Sequence, residues 1–175
     1  DLTKSCNLME TINILSTEKN GYQTLSNLLT PSFTYTISQV PRVFQTVEHC
    51  YQTYKSISIG DNKLALEIYK SKNGWEAKKL GKLVTPNSEW ELEKFGVIEK
   101  MMDACFEQNS SHKQLLLDTG EARLTHYSPT ANLREWSFKF PEILTKLRET
   151  YKQDERNITN NTVDSLDDAD ADINN

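Results

Sequence analysis

The chain has 175 residues, 37% of them hydrophobic and 26% charged, which is typical of one globular domain with a modest core. Residues 151–175 hold two of the 20 Lys and Arg residues and seven of the 25 Asp and Glu residues, which leaves 18 of each sign before them. A neutral body with an acidic tail excludes a strong non-specific nucleic-acid binder, and the partner of such a tail stays open.

Several classes of protein are disfavoured by what the sequence lacks. No apolar run approaches the roughly 18 residues that span a bilayer, so we expect no membrane association. Three scattered cysteines, Cys6, Cys50 and Cys105, are too few for a disulfide framework. The three histidines have no second ligand at metal spacing, so we expect neither a metal nor another cofactor. Reduced thiols indicate an intracellular protein, cytoplasmic or nuclear.

The first 45 residues contain two different hydrophobic patterns. A helical spacing over residues 2–19 predicts a helix that ends near Asn20-Gly21; it is formed by Leu2, Leu8, Met9, Ile12 and Leu15. Between Pro31 and Pro41 the apolar and polar residues alternate. This alternation predicts a short strand, either at an edge or as half of a small sheet.

The stretch 47–55 predicts a helix whose polar side chains lie on one face. Glu48, Gln52 and Lys55 stand at i, i+4 and i+7, and most other positions are apolar. Thr46 is a suitable N-cap, and Glu48 in the first turn complements the helix dipole. The face is either a solvated polar stripe or the wall of a site.

Helical patterns dominate the rest of the chain. A second helix, with Leu64, Leu66, Ile68 and Tyr69 inward, ends at Asn73-Gly74, and a third covers residues 75–80 before Gly81. Ser88 is the expected N-cap of a long helix, followed by a helix at 112–117, a strand at 121–124 and a helix at 142–151. We expect a domain over residues 1–153 and a disordered acidic tail over 154–175.

Six short segments in this order resemble the NADAR family, also called YbiA-like, over residues 25–130. They are Ser26-Asn27, the Glu48 to Lys55 helix (Glu-His-x-Tyr-Gln-x-x-Lys), Ala77-Lys78 with Gly81, Trp90 at the start of a long helix, Cys105-Phe106, and Leu116 to Gly120 (Leu-Leu-x-Thr-Gly). The resemblance implies a single α+β domain, predominantly α-helical, with a small β element near its N-terminal part.

The resemblance also implies an enzyme. Proteins of this kind are N-glycosidases that cleave a ribose C1–N bond, with ADP-ribose on guanine bases or a related N-riboside as substrate. It implies that Lys55 is the nucleophile, and a nearby carboxylate such as Glu48 would stabilise the cationic sugar. The expected substrate-binding residues are Asn27, Gln52, Lys78 and Trp90. Lys78 is either a phosphate contact or an ordinary surface cation. Trp90 either stacks on the base of the substrate or packs in the core.

The sequence departs from the family pattern after residue 125. If Ser128-Pro129 is the anchor, His126 and Ala131 stand where the family has acidic residues, and Asp118 or Glu121 would have to compensate. The alternative is a catalytically impaired module that binds ADP-ribose or a nucleotide, or an interaction domain that uses the acidic tail.

Overall fold

The computed structural model describes residues 10–128 and 134–171. Its strands are β1 (Thr11–Asn13), β2 (Phe33–Ile37), β3 (Val40–Phe44) and β4 (Arg123–Thr125). Its α-helices are α1 (Val47–Ser58), α2 (Asn62–Tyr69), α3 (Gly74–Gly81), α4 (Ser88–Gln108), α5 (Ser110–Leu117) and α6 (Arg134–Ala171), and Gln23–Leu25 forms a short 3-10 helix. The fold is α+β and predominantly helical, as predicted.

The prediction of a helix over residues 2–19 is wrong for residues 10–19, which the structure describes. Thr11–Asn13 is a strand that pairs in parallel with β4, with Ile12 opposite Leu124. Ile12 and Ile14 are buried, so the apolar residues here follow the two-residue period of a strand. The helical spacing depended on Leu2, Leu8 and Met9, which lie outside the described residues.

The predicted strand before Pro41 is confirmed as β2, and it pairs with a strand that we did not predict. β3 runs antiparallel to β2, with Phe33 opposite Phe44. Pro41 lies inside β3, where proline is tolerated because the sheet has only two strands. Ser38 and Gln39 connect the strands with φ of 50° and 66°, the left-handed conformation of a tight hairpin turn.

Helix α1 is the centre of the fold and packs against α2, α3 and α4. The side chain of Thr46 caps it by accepting from the backbone N–H of His49, as predicted. Glu48 and Gln52 are both buried, so the polar face of α1 is not a solvated stripe. It lies against other protein elements and lines an internal site.

Two details of the following helices differ from the sequence interpretation. Leu66 is 52% exposed, whereas Ala65 and Ile68 form the buried face of α2. The N-cap of α4 is Asn87 rather than Ser88, because the Asn87 side chain accepts from the backbone N–H of Trp90. This cap fixes the start of α4, and with it the position of Trp90.

Helix α6 is longer at both ends than the predicted 142–151. It begins at Arg134 and includes Pro141, and the burial of Phe140 explains why the helix forms before the proline. It continues to Ala171, and the expected end of the domain at residue 153 stays a prediction. No Gly or Pro interrupts residues 154–171, and Gln153 bonds Asn157 one turn later. The last four residues, 172–175, lie outside the described residues.

Membrane crossing can be judged only for the described helices. None of those within 10–128 and 134–171 combines the length and the apolar character that a bilayer span requires.

Candidate active site

A cavity of about 200 Å³ opens beside α1 and is also lined by residues of α3, α4 and α6. All six residues predicted from the sequence line it: Asn27, Glu48, Gln52, Lys55, Lys78 and Trp90. The structure therefore brings together side chains that lie up to 63 residues apart in the chain. What each side chain does there depends on its own contacts.

Glu48 is a buried carboxyl group held by two neutral amides. Its side chain is accessible to only 3%, and it accepts from the amides of Asn27 and Gln52, with Gln52 Nε2 at 2.8 Å. Asn27 also fixes the backbone, because its carbonyl accepts from the Glu48 N–H at 2.9 Å. Burial raises the pKa of Glu48, while the charge of Lys78, the Gln52 bond, the charge of Lys55 and the Asn27 bond oppose this rise.

Lys55 reaches the cavity from the last turn of α1. Its Nζ donates to the carbonyl of Gly81 at 2.7 Å. Burial lowers the pKa of Lys55, while the charges of Glu48 and Glu91 oppose the shift. Within the part of the chain that the structure describes, no ion pair joins Lys55 to Glu48. The lysine therefore has more free amine than an exposed lysine, and it is not neutralised by the carboxyl group.

The sequence left two interpretations each for Lys78 and Trp90, and the structure locates both side chains at the cavity. Lys78 is half-buried on α3 and faces the cavity, and no ion pair engages it among the described residues. Trp90 is 2% exposed, and its ring packs on Tyr51 and Tyr54 at centroid distances of 5.1 and 6.0 Å. Trp90 is thus mainly a core residue that forms one wall of the cavity.

An aromatic wall was missed by the sequence interpretation. Tyr51, Trp136 and Phe140 all line the cavity, and Trp136 meets Tyr51 edge-on at 5.6 Å. Phe95 supports Trp136 from behind at 4.8 Å. Trp136 and Phe140 lie before Pro141, in the part of α6 that was not predicted to be helical, so no periodicity indicated their inward direction.

Lys94 is a charged group of the cavity wall that is paired within the protein. Lys94 lines the cavity, and its Nζ lies 2.7 Å from Glu91 and 2.8 Å from Glu135. Glu91 also lines the cavity and brings a second carboxylate to it. The spacing of Glu91 and Lys94, three residues apart on a predicted helix, was a signal for this pair. Glu135 had no such signal, because it is 41 residues from Lys94.

His126, which stands where the family has an acidic residue, lines the cavity. Its side chain is nearly buried and packs edge-on against Phe140, with centroids 5.4 Å apart. Burial, helped by the charge of Lys78, lowers the pKa of His126 to about 4, so the ring is neutral at pH 7. Its Nδ1 is buried without a hydrogen-bond partner among the described residues. The second departure, Ala131, lies outside the described residues.

The two acidic residues considered as substitutes are engaged elsewhere. Asp118 accepts from Gln114, and Glu121 pairs with Lys152. Neither lines the cavity, so the suggestion that they compensate for His126 is wrong for the structure described. Within residues 10–128 and 134–171, no group of three or more His, Cys, Asp and Glu side chains is arranged to hold a metal ion.

Comparison with known proteins places this geometry in a family. No curated protein sequence matches the chain. The solved NMR structure of the E. coli protein YbiA is similar, with a TM-score of 0.68 and 23% identity over 84% of this chain and 88% of that one. At that identity the likeness shows a shared fold. Residues 15–156 match the NADAR domain, and the chain therefore belongs to the NADAR family.

Proposed function

We propose that this protein is an N-glycosidase that hydrolyses the bond between a ribose C1 and a nitrogen base. The observation that carries the proposal is the pairing of two groups in one small cavity. They are the amine of Lys55, whose pKa is lowered, and the carboxyl group of Glu48, which is held by neutral amides. The substrate class is an N-riboside, with ADP-ribose on a guanine base as the first candidate from the family resemblance.

Glu48 suits a reaction in which positive charge develops on a sugar. The transition state of glycoside cleavage resembles an oxocarbenium ion, and a nearby carboxylate stabilises it. Asn27 and Gln52 orient the carboxylate by donating to its oxygens and, being neutral, form no ion pair with it. The charge is therefore available to the substrate. The raised pKa of Glu48 also suits proton transfer to the departing base.

Lys55 suits the role of nucleophile because burial favours its free amine. The nitrogen lone pair attacks C1, the C1–N bond breaks, and its electron pair leaves with the base nitrogen, which takes a proton. Loss of a proton from the lysine nitrogen then allows the C1–O bond of the ribose ring to open, which gives an imine and a protonated ring oxygen. Water adds to C1, the C1–lysine bond breaks, and the sugar aldehyde recloses its ring.

The remaining cavity residues supply binding. The aromatic wall of Tyr51, Trp136 and Phe140 offers apolar surface to a flat base. Lys78 carries a positive charge with no ion-pair partner among the described residues, which suits a phosphate group of the substrate. A cavity of about 200 Å³ encloses a part of ADP-ribose, so the rest of such a ligand extends to the surface.

The test is product release together with chemical trapping. Purified protein is incubated with ADP-ribosylated guanosine and a small panel of other N-ribosides, and free sugar and base are measured by mass spectrometry. Borohydride added during turnover should reduce the imine and leave a sugar adduct on Lys55. Lys55→Arg should abolish both product and adduct. Lys79→Arg, an exposed lysine on α3, is the matched control and should retain both.

The possible results separate the competing functions. Product without an adduct on Lys55 would contradict the lysine mechanism and leave Glu48 acting with water. Binding without product would contradict the enzyme and support a nucleotide-binding module. Full activity in Lys55→Arg would return this lysine to a structural role.

A further inference from the structure

Gly81 is the last residue of α3, and its lack of a side chain is required by its surroundings rather than by its backbone. It is part of a regular helix and has no positive φ. A Cβ at this position would lie 2.8 Å from Cγ of Gln52 and even closer to the end of that side chain. Gln52 therefore occupies the space that any larger residue at position 81 would fill.

Gln52 is held in that space by few contacts. Its Nε2 donates to Glu48 at 2.8 Å, and its Oε1 is buried with no partner among the described residues. The side chain is long and flexible, so a Cβ on residue 81 would push it aside rather than push the helix backbone. The expected consequence is that Glu48 loses one of its two amide donors.

The backbone of Gly81 contacts the other reactive group. Its carbonyl accepts from Nζ of Lys55 at 2.7 Å, at the C-terminal end of α3, where the helix dipole attracts an ammonium group. Gly81 thus contacts both groups. Its carbonyl accepts from Lys55, and its lack of a side chain leaves space for Gln52, which donates to Glu48.

We propose that Gly81 is a positioning residue, which admits Gln52 to its place against Glu48 and anchors Lys55 at its resting position. The inference rests on the proposed function where it concerns catalysis. The part that concerns the geometry of Glu48 stands without it and has its own measurement.

The first experiment is a double-mutant cycle on the active enzyme. Gly81→Ala should lower kcat by about a hundredfold, the scale of a misplaced catalytic group, with little change in melting temperature because alanine favours a helix. Gln52→Ala should lower kcat to a similar extent. Gly81→Ala with Gln52→Ala should be no worse than Gln52→Ala alone, because the clash is then removed. Gly96→Ala is the control, since a Cβ there meets nothing within 4 Å.

The second experiment needs no substrate. The carboxyl carbon of Glu48 is followed by NMR as pH changes, and its signal is assigned by its absence in Glu48→Gln. The Gln52 bond lowers the pKa of Glu48, as do the charges of Lys78 and Lys55. Gly81→Ala and Gln52→Ala should therefore both raise the pKa of Glu48. Gly96→Ala should leave it at the wild-type value.

Each outcome decides one of the two proposals. Wild-type kcat and an unchanged Glu48 pKa in Gly81→Ala would overturn the positioning role. A double variant much less active than Gln52→Ala would also overturn it, because Gly81 would then act independently of Gln52. If wild-type protein releases no product from any N-riboside, the proposed function fails, and the NMR titration still decides whether Gly81 positions Glu48.

Discussion

Two of the regions that bury polar groups among the described residues use them differently. One is the cavity beside α1. The other, which we call the distal cluster, consists of Thr119, Arg148 and Tyr151, where α4, α5 and α6 meet. Both regions contain ionisable side chains that are more than 90% buried. The contrast lies in where their hydrogen bonds end.

The bonds of the distal cluster end within the protein. Arg148 Nη1 donates to Thr119 Oγ1 at 2.8 Å and to the Ala122 carbonyl at 2.9 Å, and the Tyr151 hydroxyl donates to Asp103 at 2.6 Å. In the cavity, by contrast, Gln52 Oε1 and His126 Nδ1 are buried with no hydrogen-bond partner among the described residues. Buried groups that satisfy one another hold the fold together, whereas buried polar atoms left unpaired beside a cavity are suited to a ligand. Substitutions should therefore affect stability in the distal cluster and activity in the cavity.

The largest expected effect is that of Glu48→Gln on activity. The neutral amide keeps the size of the side chain but cannot stabilise a cationic sugar, so kcat should fall about a thousandfold. The melting temperature should change by only a few degrees, because the cavity is not built on this charge. Product release and thermal unfolding measure the two effects. Glu89→Gln, exposed at the start of α4, is the control, and equal losses of activity in both variants would contradict a specific role for Glu48.

Arg148→Met should have the opposite effect, a loss of stability without a loss of activity. Removing the guanidinium leaves the Thr119 hydroxyl and the Ala122 carbonyl buried without this donor, which should lower the free energy of unfolding by about 3 kcal/mol. The kcat of the folded protein should be unchanged. Urea unfolding and product assays test both halves, with Arg156→Met, an exposed arginine of the same helix, as the control. A large loss of activity at full stability would break the distinction between the two regions.

A smaller effect, dependent on pH, is expected for His112. Burial lowers the pKa of His112 to about 4 from 6.5, and its ring stacks on Phe106 with centroids 4.9 Å apart. Between these pH values the unfolded chain binds a proton that the folded chain does not, so stability falls as pH falls, by up to about 1.4 kcal/mol per pH unit. The loss is complete below the folded pKa.

His112→Phe keeps the ring contact and removes this proton. The variant should be closer to wild type in urea stability at pH 7 than at pH 5, where it should be the more stable protein. Burial also lowers the pKa values of His49 and His126. These two residues should account for the pH dependence of stability that remains in the variant. An unchanged slope in His112→Phe would show that folding does not lower the pKa of His112.

The sequence predicted the parts of the site that depend on local spacing. Glu48, Gln52 and Lys55 share one helix, so their common face followed from the helical period. The family resemblance added Asn27, Lys78 and Trp90 from other elements, and all of these residues line the cavity. Their catalytic and binding roles remain predictions, because lining the same cavity does not show what a residue does there.

What the sequence did not predict depends on contacts between distant parts of the chain. The β1–β4 pair joins residues more than 100 positions apart, and no local pattern in residues 11–13 distinguishes it from a helix end. The aromatic wall was missed because Trp136 precedes residue 142, where the helix was expected to begin. The end of α6 was also missed, because acidic composition indicated disorder where the structure continues a helix.

The smallest expected effect is that of shortening α6, and it tests how far the distal cluster extends. Tyr151 is buried at 3% exposure, and Phe106 and the ammonium of Lys113 contact its ring. The side chains of residues 153–160 are exposed. Residues 154–160 are thus helical but not packed against the domain, and an unpacked helix contributes little stability. Ending the chain after Gln153 should therefore change the melting temperature by no more than about 2 °C.

The matched control ends the chain three residues earlier, after Thr150, and so removes Tyr151. Loss of a buried aromatic side chain costs about 3 kcal/mol or more, which for a chain of this length lowers the melting temperature by about 10 °C. The two truncations differ only in Tyr151, Lys152 and Gln153, so the difference between their melting curves measures the boundary of the distal cluster. A fall of ten degrees after Gln153 would instead place the acidic end of α6 within the stabilising part of the fold.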